Sequence, residues 1–136
     1  MSIVVGYVPT KEGRAALRRA ADESELRKTS LIVVNSNSGG KNYHPEDDEK
    51  FEADLATVRQ RIEAAGLAVE VRQLVRGNDP AEDLIDVATE SGAEIIVIGL
   101  RRRTPVGKLI LGSNAQRILL DASCPVLAVK AGEDDA

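Results

Sequence analysis

Four short stretches of the chain are apolar without interruption: residues 3–5, 31–34, 95–98 and 126–129. A strand that faces water on one side alternates apolar and polar residues. A strand that is apolar throughout must bury both faces, the habit of parallel sheets sandwiched between helices. A fifth run, residues 68–75, does alternate: Val69, Val71 and Val75 point one way, Glu70 and Arg72 the other. That strand is half-solvated and belongs at an edge.

Helical patterns fill the gaps. Phe51, Leu55, Val58, Ile62 and Ala65 make one stripe, which Gly66 ends. Asp79-Pro80-Ala81-Glu82 is a helix start, with Asp79 as N-cap, Pro80 in the first position and Glu82 spaced to reach back. Ala81, Leu84, Ile85 and Ala88 form its buried face and Gly92 closes it. Thr10 is placed to cap a helix through Leu17 and Leu26. Ser113 and Gln116 have capping-box spacing at the start of a last helix. The order is β-α-β-α-β-α-β-α-β, which reads as a parallel sheet with helices on both faces. Residues 38–48 are polar, contain Gly39-Gly40 and read as a surface loop. The acidic tail, 131–136, reads as frayed.

The 136 residues suffice for one domain with a core, and residues 1–136 are taken as that domain. The net charge of −4 argues against a general nucleic-acid or membrane-surface binder. The two tyrosines and one phenylalanine are too few for base-stacking platforms. Cys124 has no partner for a disulfide and reads as a buried, inert thiol. No signal peptide or membrane span is visible, so a cytoplasmic protein is expected.

The positive charge is local: five cations lie between Arg101 and Arg117. Four of them belong to the connection that follows the 95–98 strand and runs from Gly99 to Gly112-Ser113. In open parallel sheets ligands sit beyond the carboxyl ends of the strands. Gly99 stands at such an end, and Gly112-Ser113 opens a helix whose first amides lack helical partners. Those amides and the helix dipole favour an anion. Gly99, Gly112, Ser113 and Asn114 are the candidates for close backbone and amide contacts, and Arg101 and Arg102 for phosphate charge. The competing reading leaves Gly99 a strand end, Ser113 a cap and the arginines a solvated face.

The last strand, Val126, Leu127, Ala128 and Val129, is wholly apolar, although a C-terminal strand often lies at an edge. A bare apolar edge invites another chain. Two copies meeting in a symmetric dimer through this strand is the expectation. A central position for it is the alternative.

The Gly99…Gly112-Ser113 connection, the segment 76–82 and Cys124-Pro125-Val126-Leu127-Ala128-Val129 together resemble the universal stress protein family over nearly the whole chain. The family pattern is G-x-x-G, nine residues, then G-[S/T]. Gly99, the nine residues 103–111 and Gly112-Ser113 keep its frame. The resemblance implies a five-stranded sheet in the order 3-2-1-4-5, of the adenine nucleotide alpha hydrolase-like, Rossmann-type fold. It also implies dimerisation through the last strand and, in many members, ATP held with its phosphates on that loop. Other members act in stress survival without binding it.

Two departures stand out. Arg102 replaces the second glycine. A left-handed backbone there would cost roughly 1–2 kcal/mol, whereas its guanidinium would grip phosphate bidentately. Val8 stands where ATP-binding members usually carry an Asp facing the adenosine. On this reading Val8 and Ser36 flank the base, and Gly77 and Pro80 shape the rim.

Other chemistry is not supported. Asn37-Ser38-Gly39-Gly40-Lys41 follows the wrong strand for a pyrophosphatase loop. Gly107-Lys108 fails the Walker pattern. His44 is the only histidine, so no metal site is expected. The run Glu46-Asp47-Asp48-Glu49 reads as the acidic first turn of a helix. No catalytic base is assignable, so no enzyme is expected, although nothing in the residues forbids slow ATP hydrolysis. The expected function is regulatory: a dimer binding ATP or another phosphate-bearing nucleotide or small anion. The alternative is a stress protein that binds no nucleotide and uses its dimer surface and basic patch on an unidentified protein partner.

Overall fold

The computed structural model describes residues 1–35, 45–73, 79–100 and 111–131. The elements alternate as expected: β1 (Ser2–Tyr7), α1 (Lys11–Arg27), β2 (Ser30–Asn35), α2 (Pro45–Ala64), β3 (Val69–Gln73), α3 (Pro80–Ser91), β4 (Ala93–Leu100), α4 (Ser113–Asp121) and β5 (Val126–Lys130). The five strands form one parallel sheet in the order β3-β2-β1-β4-β5. The half-solvated strand is thus at one edge and the apolar C-terminal strand at the other.

The continuous apolar runs bury both faces because strand side chains alternate. Ile3, Val5, Tyr7, Leu31, Val33, Ile95 and Val97 pack against Leu17 of α1 and Phe51, Leu55, Val58 and Ile62 of α2. Val4, Ile32, Val34, Ile96 and Ile98 face the other way, onto Ala81, Leu84 and Ala88 of α3 and Ile118 of α4. One sheet therefore separates two cores, each sealed by a helix pair.

The helix ends follow local chemistry. Thr10 Oγ1 accepts the Gly13 N–H at 3.1 Å. Asp79 Oδ1 accepts the Ala81 N–H at 2.9 Å, with Pro80 opening α3. Gly66 and Gly92 take positive φ of 81° and 62°, the left-handed turn that glycine adopts without strain.

Four local expectations are corrected. Helix α2 starts at Pro45, so the acidic run 46–49 lies inside its first turns, and residues 45–48 are not loop. Ala65 falls just beyond that helix and is exposed. Glu82 does not close a capping box; its carboxylate lies 3.4 Å from Arg117 Nη2. The fourth concerns Ser113 and belongs to the site. Residues 36–44 and 132–136, which include the Ser36 site candidate, the Gly39-Gly40 segment, His44 and the acidic tail, lie outside the described residues.

Lys28 caps α1 at φ 54°, ψ 51°, the only positive φ at a non-glycine among the described residues. A Cβ there costs about 1–2 kcal/mol, and glycine's extra unfolded freedom costs about 0.5–1. Lys28→Gly is therefore expected to stabilise the fold by up to roughly 1 kcal/mol, read as a higher urea midpoint at unchanged slope.

Candidate functional site

The site grows from a fork in the sheet. Strand β1 pairs with β2 through Tyr7–Asn35, but its pairing with β4 ends at Val5–Val97. Beyond that point β1 and β4 diverge, with Gly6 on one branch and Gly99 on the other. This is where the strand order reverses, since β1 is followed on one side by β2 and on the other by β4. Crevices of open α/β sheets form at this place.

On the α3/α4 side the fork opens into a cavity of about 330 Å³. Its floor is Gly6, Val8, Val34, Ile98 and Gly99 at the strand ends. Its walls are Pro80, Ala81 and Leu84 of α3 and Asn114, Ala115 and Ile118 of α4. Among these described residues Asn114 brings the one polar side chain. A Cβ on Gly6 would come within 3.1 Å of Leu84 Cδ2, so the bare Gly6 keeps the floor open beneath that leucine.

The start of α4 differs from the expectation. The N-cap is Gly112, not Ser113, at φ −69° and ψ 164°, and no described side chain caps the helix. Ser113 is the first helical residue, so the proposed capping box with Gln116 does not form. Gln116 N–H instead donates to the Gly112 carbonyl at 3.0 Å, the ordinary first turn. Among the described residues the early amides of α4 thus have no side-chain acceptor, unlike those of α1 and α3. A Cβ on Gly112 would meet no described atom within 4 Å, so packing among the described residues does not demand that glycine.

Gly99 is demanded, but for a different reason from the one its place in the motif suggests. A Cβ on it would stand 2.3 Å from the Glu12 carbonyl oxygen of α1. Its backbone lines the cavity while its bare Cα lets α1 pass on the opposite face. Gly13 makes the matching close pass: its Cβ would lie 1.8 Å from the Val8 carbonyl oxygen.

Arg117 joins the two walls. Its Nη1 lies 2.6 Å from Asp79 Oδ2, its Nη2 3.4 Å from Glu82 and its Nε 3.6 Å from Asp121. It is therefore engaged by carboxylates and is not part of a free basic patch.

Of the residues expected in the site, the structure brings Val8, Gly99, Asn114 and Pro80 to one cavity and puts Gly112 and Ser113 at its α4 edge. Ser36, Gly77, Arg101 and Arg102 lie outside the described residues. Gly6, Val34, Leu84, Ile98, Ala115 and Ile118 were not singled out for the site. Gly6, interrupting an apolar strand, was the one available signal, because a glycine inside a strand marks a close approach.

Cys124 is half-buried rather than fully buried. Burial pushes its thiol up from the ordinary range, more strongly than two backbone hydrogen bonds lower it, so it is protonated at neutral pH. No group of three or more His, Cys, Asp or Glu side chains is placed for a metal among the described residues. No helix among them is long and apolar enough to cross a membrane.

Comparison with known proteins agrees with this architecture. The model of the universal stress protein family matches residues 1–130. A universal stress protein of Mycolicibacterium smegmatis is 42% identical over 130 residues, spanning 94% of this chain and 96% of that protein. The structure of a universal stress protein from Archaeoglobus fulgidus superimposes with a TM-score of 0.73 at 39% identity, covering 96% of this chain and 98% of that one. A universal stress protein from Archaeoglobus fulgidus in complex with dAMP superimposes at 0.68 and 34% identity, with 96% and 98% covered. With the sheet order, the forked strands and the glycine-opened α4 all in place, this chain belongs to the universal stress protein family.

Proposed function

We propose that the chain is a cytoplasmic regulatory domain of the stress response that holds ATP or another phosphate-bearing nucleotide in the cavity at the β1/β4 fork. The observation that carries this is the cavity itself, bordered by a helix start with no side-chain cap among the described residues. Phosphate oxygens accept the first amides of α4, beside Gly112, Ser113 and Asn114. The base lies over Val8 toward the β2 side, with Ser36, the residue after β2 in sequence, as its other flank. Arg101 and Arg102, following β4, supply charge to the phosphates. The dAMP complex of the Archaeoglobus protein supports a nucleotide as the ligand class. Val8 offers the base a contact surface but no hydrogen bond, so affinity rests on the phosphate end. The domain binds and reports; no base for hydrolysis stands among the described lining residues.

Thermal denaturation with ATP, ADP, AMP, cyclic nucleotides and inorganic phosphate tests this. A ligand at a hundred times its dissociation constant adds about 2.7 kcal/mol, a shift of several degrees for a domain of this size. If no ligand moves the transition, the nucleotide reading is abandoned for a stress protein that acts only through protein partners.

The working unit is a homodimer through β5. The Ile96 N–H donates to the Pro125 carbonyl at 3.0 Å, so Pro125, Leu127 and Val129 bond inward in the parallel ladder. Val126, Ala128 and Lys130 then turn their amides to the open edge. Ala128→Pro removes one outward donor and leaves the β4 ladder whole. It is expected to turn the dimer into a monomer in sedimentation velocity; a dimer unchanged by it would place the contact elsewhere.

A further inference from the structure

The two helix starts that border the cavity carry opposite electrostatic signatures. Helix α3 opens with Asp79 at its cap and Glu82 and Asp83 in its first turn, whereas the first turn of α4 has no acidic residue. Pro80 and Ala81, directly after Asp79, line the cavity. A carboxylate is therefore anchored at the rim of a site that must admit a negatively charged ligand.

Both oxygens of that carboxylate are engaged: Oδ1 by the Ala81 N–H at 2.9 Å, Oδ2 by Arg117 Nη1 at 2.6 Å. Arg117 also reaches Glu82 at 3.4 Å. It stands four residues along α4 from Ser113, about 6 Å by helical rise. Its backbone is therefore about one helical turn from the amides that open α4, and its guanidinium pairs with Asp79 and Glu82 of α3 and with Asp121 of its own helix. We infer that Arg117 is a positioning residue of the anion site: its single charge offsets part of the negative charge of Asp79 and Glu82 and so lessens their repulsion of an anion at the start of α4. The inference rests on reading the cavity as a nucleotide site. Arg117 does not touch the ligand; it acts through Asp79 and Glu82.

The test compares a charged and an uncharged probe of the same shape. AMP binding is measured by calorimetry at two salt concentrations, and adenosine binding by saturation-transfer NMR. In Arg117→Met the dissociation constant for AMP is expected to rise about three- to tenfold at low salt, and less at high salt. Adenosine binding should stay within about twofold, because no charge is present to be repelled. Asp79→Asn added to Arg117→Met should restore AMP binding, since asparagine keeps the N-cap and removes the charge. Arg117→Lys should retain most of the affinity.

Equal loss of AMP and adenosine in Arg117→Met would overturn the inference, since it would mean only that α3 and α4 had moved apart. So would unchanged AMP binding in a variant whose parent binds AMP, which leaves the nucleotide reading intact. A parent protein that does not bind AMP overturns both.

Discussion

Ser113→Pro is expected to weaken nucleotide binding about tenfold to a hundredfold while α4 stays folded. Ser113 is the first helical residue, where proline's missing N–H breaks no helical bond and its fixed φ suits the turn. Gly112, just before it, already has the extended ψ of 164° that a following proline requires. The Gln116-to-Gly112 bond that starts the helix is untouched. What proline removes is one amide that the proposed binding mode aims at the anion, and a hydrogen bond to a charged group is worth roughly 1.5–3 kcal/mol. Ser113→Ala, which removes only the hydroxyl, should cost distinctly less. Calorimetry with ATP or AMP measures both, and circular dichroism checks the helix. Full affinity in Ser113→Pro would remove this amide from the site.

Gly13→Ala should destabilise the protein, against the usual sign of such a change. Replacing glycine by alanine inside a helix normally gains about 1 kcal/mol. Here the new Cβ would lie 1.8 Å from the Val8 carbonyl oxygen, a backbone atom that cannot swing aside like a side-chain tip. That carbonyl also accepts the Thr10 N–H at 2.8 Å, so displacing it disturbs the turn into α1. Overpacking of this kind costs about 1–3 kcal/mol, and a backbone partner puts this case at the upper end. The expected net loss is about 2 kcal/mol, a fall in melting temperature of roughly 6–10 °C. Because Val8 lines the cavity, nucleotide affinity should fall with it. A higher melting temperature for Gly13→Ala would show that α1 and β1 are not packed this closely. Gly99→Ala probes the same pass from the other branch of the fork, with 2.3 Å to the Glu12 carbonyl.

The strands and their edges were legible from residue order because burial on two faces leaves a local trace, as in Ile95-Ile96-Val97-Ile98, and burial on one leaves another, as in Val69-Glu70-Val71-Arg72. The caps Thr10 and Asp79 were legible for the same reason: each bonds an amide two or three residues away. The sheet order followed only from the family resemblance, because strand pairing is non-local. The site was legible in part. Gly99 and Asn114 flank a strand end and a helix start, so their neighbourhood could be read. Leu84, Ile98 and Ile118 could not be distinguished from core residues, because a cavity wall and a packed core draw on the same apolar side chains. The role of Glu82 was misread because its spacing to Asp79 fits a capping box, while Arg117, 35 residues on, offers a charge that spacing does not reveal.

Residue order alone determined that this chain makes a covered parallel sheet, with helices begun at Thr10 and Asp79, since periodicity and caps act over a few residues. Tertiary structure decided which glycines serve packing and which leave space. Gly99 and Gly13 are required by the approach of α1, whereas nothing described presses on Gly112. It also decided that Arg117, though partly exposed, pairs with the carboxylates of α3. Both outcomes depend on how closely separate elements come together, and that distance is set by the packing of the whole sheet rather than by any stretch of chain.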